Sequence, residues 1–214
     1  MFLTKEERKK IEQKIVELEH KSSGEIVVYC AKSSHSYTSA IFIAAFGGFF
    51  IMNLFGFYEY FITWGEINKN LILWLSVQNI IGAVIASTLT YLIPKLRIMM
   101  VNNSKIEEMI FTKAKDVFLN MELFKTIDRT GILIYISLLE HKVIVLGDKG
   151  INAVIDPEEW DTMVNNVVKG IKEKNPFKGI MNAINDCERV LLKHGFVVKP
   201  NDINELPNHL IIEE

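Results

Sequence analysis

The sequence has few of the residues that mark a disulfide-stabilised, fibrous or disordered chain. Its 214 residues include 2 cysteines, 5 prolines and 12 glycines. The two cysteines, Cys30 and Cys187, form no CxxC pair and fall on apolar segments, which is typical of buried free thiols in a reducing compartment. So little proline and glycine excludes a collagen-like or low-complexity chain.

Motifs of the common enzyme classes are also missing. Five histidines are scattered without HExxH or paired-ligand spacing, so a structural zinc site is not expected. The sequence contains no Walker loop, no GxGxxG and no GxSxG, which excludes the familiar nucleotide-binding and hydrolase signatures. A formal net charge of −2 gives no reason to expect nucleic acid as a partner.

Charged residues are absent from two long stretches, residues 37–58 and 70–94. Each stretch is long enough to cross about 30 Å of hydrocarbon as a helix. Residues 1–36 are polar and amphipathic, so the first stretch does not have the position of a cleaved signal peptide. We therefore predict a transmembrane helical hairpin within residues 37–101. Two buried helices of a soluble core are the alternative.

Basic residues are distributed unequally around these stretches. The connecting segment carries one basic residue, Lys69, whereas the outer flanks carry six, which are Lys21, Lys32, Lys95, Arg97, Lys105 and Lys113. Basic flanks of transmembrane helices tend to remain on the cytoplasmic side. The sequence therefore predicts a multi-pass protein of the cell membrane, the inner membrane in a bacterium, with two spans and both termini in the cytoplasm.

Residues 1–36 and 102–214 are predicted to form one α/β domain that the hairpin interrupts. The first 36 residues are too few to bury a core of their own. Thr4 and Glu7 have capping-box spacing before an amphipathic helix, and Ser104 and Glu107 repeat that spacing after the hairpin. EIVVYC, which begins at Glu25, is typical of a short buried strand.

The C-terminal part is predicted to contain two strands between helices. GILIYISLL and KVIVLG are apolar runs separated by a turn at Glu140 and His141. Asp156 followed by Pro157 is typical of a helix N-cap, and a last helix is expected over residues 176–194. Strands 1 and 2, joined through a helix, should be parallel, and strand 3 should pair antiparallel with strand 2. The predicted fold is a small mixed sheet with flanking helices.

Polar residues are predicted to meet at one edge of this sheet. Glu25 opens the first strand, and Arg129 and Thr130 precede the second, so parallel pairing brings them together as a structural salt bridge or as a site. Asp128 starts strand 2 and Asp148 finishes strand 3, and antiparallel pairing places these ends side by side. Asp148 then either caps the next turn or joins Asp128 as an oxygen ligand of Ca²⁺ or Mg²⁺.

Several strings in the sequence resemble the TPM domain family, in its membrane-anchored bacterial branch. They are SGEIVV after an amphipathic helix, RTGILIYISLLEHKVIVLGDKGI, the tryptophan-containing helix that follows, and the tail NELPNHLI. The resemblance implies an α/β sandwich. Some members of the family are associated with phosphatase activity or calcium, and others with the assembly or repair of membrane complexes. Most TPM domains face a lumen or periplasm, whereas the basic flanks here predict a cytoplasmic domain.

Two functions from different classes are compatible with the sequence. The first is a membrane-anchored adaptor or an assembly and maintenance factor that presents its α/β domain to a protein partner, which agrees with the missing motifs and requires no cofactor. The alternative is a metal-dependent phosphatase in which Asp128 and Asp148 hold Ca²⁺ or Mg²⁺. The sequence favours the first without deciding whether the protein is an enzyme. Expected partners are the lipid bilayer and either another protein or a second copy packed through the transmembrane helices.

Overall fold

A computed structural model of the protein describes residues 3–62, 69–173, 175–198 and 210–213. Most of the segment that connects the two apolar stretches, and all but two residues of NELPNHLI, lie outside the described residues. The chain divides into two compact units, which are Met1–Ser34 with Glu107–Glu214, called here the α/β unit, and His35–Ile106, called the hairpin unit.

The described residues contain eight α-helices and four strands, and most of the helices follow one another without an intervening strand. In chain order they are α1 (Lys5–Glu19), β1 (Glu25–Ala31), α2 (Thr38–Ile62), α3 (Lys69–Leu92), α4 (Pro94–Met99), α5 (Asn103–Asn120), β2 (Gly131–Ser137), β3 (Lys142–Gly147), α6 (Lys149–Asn152), α7 (Pro157–Lys172), α8 (Pro176–Lys193) and β4 (Leu210–Ile212).

The strands form one mixed sheet in the order β3-β2-β1-β4. β1 pairs in parallel with β2, with Glu25 opposite Gly131, and β2 pairs antiparallel with β3. These pairings confirm the predicted mixed sheet with flanking helices. β4, which pairs in parallel with the far side of β1, was not predicted.

Local side-chain caps explain where several helices begin. At α1 the predicted capping box is present, because the Thr4 hydroxyl accepts the Glu7 N–H at 3.2 Å and the Glu7 carboxylate accepts the Thr4 N–H at 2.7 Å. The prediction that Ser104 caps α5 was wrong. The Ser104 N–H donates to Oδ1 of Asn102 at 3.0 Å, so the side chain of Asn102 supplies the acceptor.

The main core of the α/β unit lies between one face of the sheet and the helices α1, α7 and α8. Alternate residues of β1 and β2, among them Val28 and Ile134, are fully buried there with Ile15 of α1 and Ile184 of α8. The other face of the same strands is buried too, at Leu133 and elsewhere. Burial of both faces explains why β1 and β2 are almost continuously apolar in sequence.

Ion pairs connect α5 to the sheet. Lys142 at the start of β3 binds Glu107 of α5 at 2.9 Å, and Lys113 of α5 binds Glu213, just after β4, at 3.8 Å. The inward side of α5 carries the buried residues Ile110, Ala114 and Val117. The helix therefore belongs to the shell of the α/β unit.

In the hairpin unit, α2 and α3 pack against each other through glycines. Gly48 of α2 is buried, and a Cβ built there would overlap the carbonyl oxygen of Gly82 in α3. Gly47, its neighbour, has open space around the same position. Two segments, Thr38–Ile62 and Leu71–Leu92, are long and apolar enough to cross a membrane. Most of their large side chains are exposed.

Candidate functional site

The predicted polar cluster contains a two-pronged ion pair between Arg129 and Asp148. Nε of Arg129 lies 2.5 Å from Oδ2 of Asp148, and Nη2 lies 2.9 Å from Oδ1. Asp148 is the N-cap of α6, and its Oδ1 also accepts the Lys149 N–H at 2.7 Å. Asp148 is 6% exposed, whereas the Arg129 side chain is 49% exposed. The exposed guanidinium of Arg129 therefore neutralises the buried Asp148 carboxylate, both of whose oxygens accept hydrogen bonds.

The backbone at the ends of β2 and β3 holds these two residues together. Arg129 has a φ of 57°, in the left-handed region, and its carbonyl accepts the Gly150 N–H at 3.0 Å. The Asp148 N–H donates to the carbonyl of Gly131 at 2.8 Å. A Cβ at Gly150 would overlap the carbonyl oxygen of Asp128, so this close approach of the two segments requires glycine.

Thr130 and Glu25 are joined at the same end of the sheet, through backbone groups. The Glu25 N–H donates to the carbonyl of Thr130 at 3.3 Å, and the Thr130 hydroxyl donates to the carbonyl of Ser23 at 2.7 Å. Glu25 is 7% exposed, and the guanidinium of Arg129 binds Asp148. The structure thus brings Arg129 to Asp148, and brings Thr130 to the backbone that leads into β1.

Asp128 differs in its surroundings from Asp148. Its side chain is exposed in the turn before β2, although its backbone lies against Gly150. Among the described residues no group of three or more His, Cys, Asp or Glu side chains is placed to hold a metal ion. Ca²⁺ takes six to eight oxygen ligands, so this pair of carboxylates offers a small part of such a shell.

Two carboxyl groups near this end of the sheet have shifted pKa values, in opposite directions. Burial acts to raise the pKa of Asp148, but the hydrogen bonds from Arg129 and Lys149 outweigh it and hold the pKa below its ordinary value. Glu19, at the end of α1, is half-buried, and its carboxylate accepts the Ile26 N–H at 3.4 Å. Burial and the negative charge of Glu25 raise the pKa of Glu19 to about 8.

A second polar cluster lies at the carboxyl ends of β1 and β2, and sequence reasoning missed it. The Ser34 hydroxyl donates to the Ser137 hydroxyl at 2.8 Å and lies 3.0 Å from the Tyr135 hydroxyl. Glu140 accepts hydrogen bonds from the Ser137 hydroxyl, from the Ser33 hydroxyl at 3.1 Å and from the Ser34 N–H at 3.0 Å. This serine–tyrosine cluster ties the end of β1 to the turn between β2 and β3.

The chemistry of the serine–tyrosine cluster is that of a structural network. Ser137 is fully buried, and burial raises the pKa of Tyr135 to about 12. The Ser34, Tyr135 and Ser137 hydroxyl groups bond to one another and to the Glu140 carboxylate, which holds the two strand ends together. The polar residues KSSHS directly after β1 were the available signal, because parallel strands bring their carboxyl ends to one edge.

Cys30 and Cys187 are free and buried, as expected. Burial raises the pKa of the Cys30 thiol to about 12 and raises that of Cys187 as well. A thiol acts as a nucleophile or metal ligand through its thiolate, which a raised pKa makes rare at neutral pH. Neither cysteine is therefore suited to catalysis.

Comparison with known proteins agrees with the resemblance found in the sequence. The family model described as TPM domain matches residues 94–190. No curated protein matches the chain. The NMR structure of the BA42 protein from the psychrophilic bacterium Bizionia argentinensis is similar, with a TM-score of 0.60 and 25% sequence identity, over 100% of this chain and 97% of that chain. The predicted resemblance to the TPM domain family is confirmed, and the predicted α/β fold with it.

Proposed function

We propose that this chain, which carries a TPM domain over residues 94–190, is a membrane-anchored adaptor or an assembly and maintenance factor. Its α/β unit binds a protein partner on the cytoplasmic side, and the two apolar helices hold it at the bilayer. The observation that carries the proposal is the Arg129–Asp148 pair, in which the best candidate carboxylate for a metal already has a cationic partner.

The apolar surface of α2 and α3 supports membrane anchoring. Side chains such as Phe46, Phe61 and Leu92 are 70%, 74% and 65% exposed. In the most apolar windows of the two helices, 22% and 6% of residues are buried, whereas a core helix of a soluble protein is mostly buried. So large an exposed apolar surface is disfavoured in water and is accommodated by lipid. The basic flanks, which include Lys95 and Arg97, support cytoplasmic termini.

The surroundings of Asp148 favour the adaptor over the metal-dependent phosphatase. A cation at Asp148 would have to displace the guanidinium of Arg129 or share the carboxylate with it, and like charges at that range repel. Asp128, the second predicted ligand, is exposed in its turn. Hydrolysis of a phosphate ester would require a metal or another group to polarise the phosphoryl oxygen, and these residues supply one guanidinium.

Thermal unfolding with added cations separates the two functions. The full chain, purified in detergent, should melt at the same temperature with and without millimolar Ca²⁺ or Mg²⁺, and it should not hydrolyse a phosphate ester. A metal site would instead stabilise the protein by about 2.7 kcal/mol at 100 times the dissociation constant. If wild type shows that gain and Asp148→Asn loses it while Asp116→Asn keeps it, the protein is a metal-binding one and the adaptor proposal fails.

Cysteine labelling in intact cells tests the topology. A cysteine placed at position 67 in the connecting segment should react with an impermeant reagent, whereas one placed at position 5 should react only after the membrane is opened. Cys30 and Cys187 are buried and give little background. Labelling of position 5 in intact cells would refute the cytoplasmic assignment.

Capture from the native membrane tests the adaptor role. Wild type solubilised in detergent should retain a partner in fixed ratio. Val28→Asp, which places a charge in the core of the α/β unit, should lose that partner while staying in the membrane. A partner that Val28→Asp retains would show that binding occurs elsewhere than on the folded α/β unit.

A further inference from the structure

β3 is an edge strand with few of the features that protect sheet edges. It occupies one end of the order β3-β2-β1-β4 and has the sequence KVIVLG. Lys142 is its one charged residue, it contains no proline, and its residues Ile144 to Gly147 are each half-buried. Natural edge strands usually carry charges, prolines or bulges that prevent pairing with another chain. This strand is therefore open to one more partner strand.

The hydrogen-bond pattern shows which groups of β3 point outward. The Asp148 N–H donates to the carbonyl of Gly131, so Asp148 and Gly131 form a hydrogen-bonded pair of the antiparallel ladder. Such pairs recur at every second residue, so every second residue of β3 also forms its backbone hydrogen bonds with β2. The inward residues of β3 are then Lys142, Ile144 and Leu146. Val143, Val145 and Gly147 point their N–H and carbonyl groups away from the sheet. The Gly147 carbonyl accepts a hydrogen bond from Nδ2 of Asn152 at 2.5 Å, which agrees with its pointing away from β2.

Val143 and Val145 therefore present four backbone groups at the edge. No hydrogen bond joins these outward groups to any part of the chain that the structure describes. An antiparallel partner strand that also has two outward-pointing residues can satisfy all four groups, because each hydrogen-bonded pair exchanges two hydrogen bonds. A second β3 provides such a strand when Val143 of one lies opposite Val145 of the other.

We propose that the β3 edges of two copies of this chain pair antiparallel, with Val143 of each copy opposite Val145 of the other. A two-fold axis then passes beside Ile144, which faces its own counterpart. The result is one continuous sheet of eight strands, in the order β4-β1-β2-β3-β3-β2-β1-β4.

Charge placement supports a second copy in this orientation. Antiparallel pairing places each Lys142 opposite an uncharged Leu146, with the two lysines at opposite ends of the new contact. Parallel pairing would set Lys142 against Lys142, which is destabilising for charges directly opposite each other. The isologous arrangement also closes after two copies, because each chain contributes its single β3 edge.

Disulfide cross-linking of the full chain in native membranes tests the proposal. The Cα atoms of the two Ile144 residues should lie about 4.5 Å apart, as in a pair without direct hydrogen bonds, so Ile144→Cys should form a disulfide-linked dimer. Leu146→Cys, on the same face of the strand, is the matched control. Its two copies should be about 13 Å apart along the strand and remain monomeric under the same oxidation.

A mixed experiment checks the register. Lys142→Cys and Leu146→Cys, expressed together with different tags, should cross-link to each other, whereas each alone should not. Dimers that depend only on α2 and α3 would give no such pattern. Failure of Ile144→Cys to cross-link in a chain that melts like wild type, or equal cross-linking of Leu146→Cys alone, would overturn the proposal.

Discussion

Arg129 binds the buried carboxylate of Asp148 from a left-handed backbone, with a φ of 57°. Residues other than glycine rarely adopt this conformation, since their Cβ approaches the carbonyl oxygen. The backbone here is held on both sides, by the hydrogen bond from the Arg129 N–H to Thr126 and by that from the Gly150 N–H to the carbonyl of Arg129. Glycine would be less strained at position 129, but it could not supply the guanidinium that neutralises the buried Asp148 carboxylate.

Two substitutions at Arg129 should separate the ion pair from the backbone strain. Arg129→Ala removes the guanidinium and keeps the strained Cβ, whereas Arg129→Gly removes both. We expect both variants to melt below wild type, and the glycine variant to be the more stable of the two by about 1 kcal/mol. Thermal unfolding of the full chain in detergent measures this difference. Equal stability of the two variants would contradict the account of the strained turn.

The raised pKa of Glu19, about 8, predicts that stability changes with pH. Between about pH 4.5 and 8 the folded protein keeps the Glu19 proton while the unfolded chain releases it, so this group makes the protein less stable as pH rises. Glu19→Gln, which stays neutral, should therefore gain stability relative to wild type at pH 8.5 compared with pH 5. The gain should be on the order of 1–2 kcal/mol after solvent screening.

Chemical unfolding at the two pH values measures that gain. Glu12→Gln, on the exposed face of the same helix, is the matched control. A Glu19→Gln variant whose stability relative to wild type is the same at both pH values would show that the carboxyl group does not titrate in this range.

A charge in the middle of β1 should disrupt the strands that follow the hairpin in the sequence. Val28 is fully buried between β2 and β4, so Val28→Asp should destabilise the α/β unit by several kcal/mol, through an unpaired charge in the core. Limited proteolysis within residues 131–146 reports the loss. Val16→Asp makes the same change at a residue that is 36% exposed and should leave this segment protected. Equal protection in both variants would rule out a shared core.

Neighbouring glycines of α2 should respond differently to the same substitution. Gly48→Ala places a methyl group against the Gly82 carbonyl, which should force the two helices apart at a cost of about 1–3 kcal/mol. Gly47→Ala adds the same group in open space and should improve helix propensity slightly. Thermal unfolding followed by helical circular dichroism in detergent compares them. Identical melting of the two variants would contradict the close glycine contact.

The mixed sheet could be predicted because its central strands are buried on both faces. That burial requires nearly unbroken apolar runs in β1 and β2, and such runs are visible in the sequence. β4 could not be predicted in the same way. Its three residues, Leu210–Ile212, carry no periodic pattern, and they become a strand through pairing with β1, which is far away in sequence.

The sequence predicted which residues lie at the candidate site better than it predicted which of them form an ion pair. The topology brings Arg129 near both Glu25 and Asp148, and the left-handed turn at Arg129 decides which carboxylate receives the guanidinium. Asn102, Asn103 and Ser104 are all good N-cap residues, so the true cap depends on where the helix axis starts. The serine–tyrosine cluster was not predicted, because it joins Ser33 and Ser34 to Ser137 and Glu140, which are more than 100 residues away and form no motif in the sequence.

Insertion of the hairpin between β1 and β2 delays the assembly of the sheet during synthesis. β1 leaves the ribosome long before Gly131, the first residue of its neighbour, and about 100 residues at 5–20 per second take roughly 5–20 s. For that time the apolar segment EIVVYCA has neither of its partner strands. The amphipathic helix α1, made immediately before it, is the one element of its final core already available, and it is in position to shield β1 from aggregation while the hairpin unit is being synthesised.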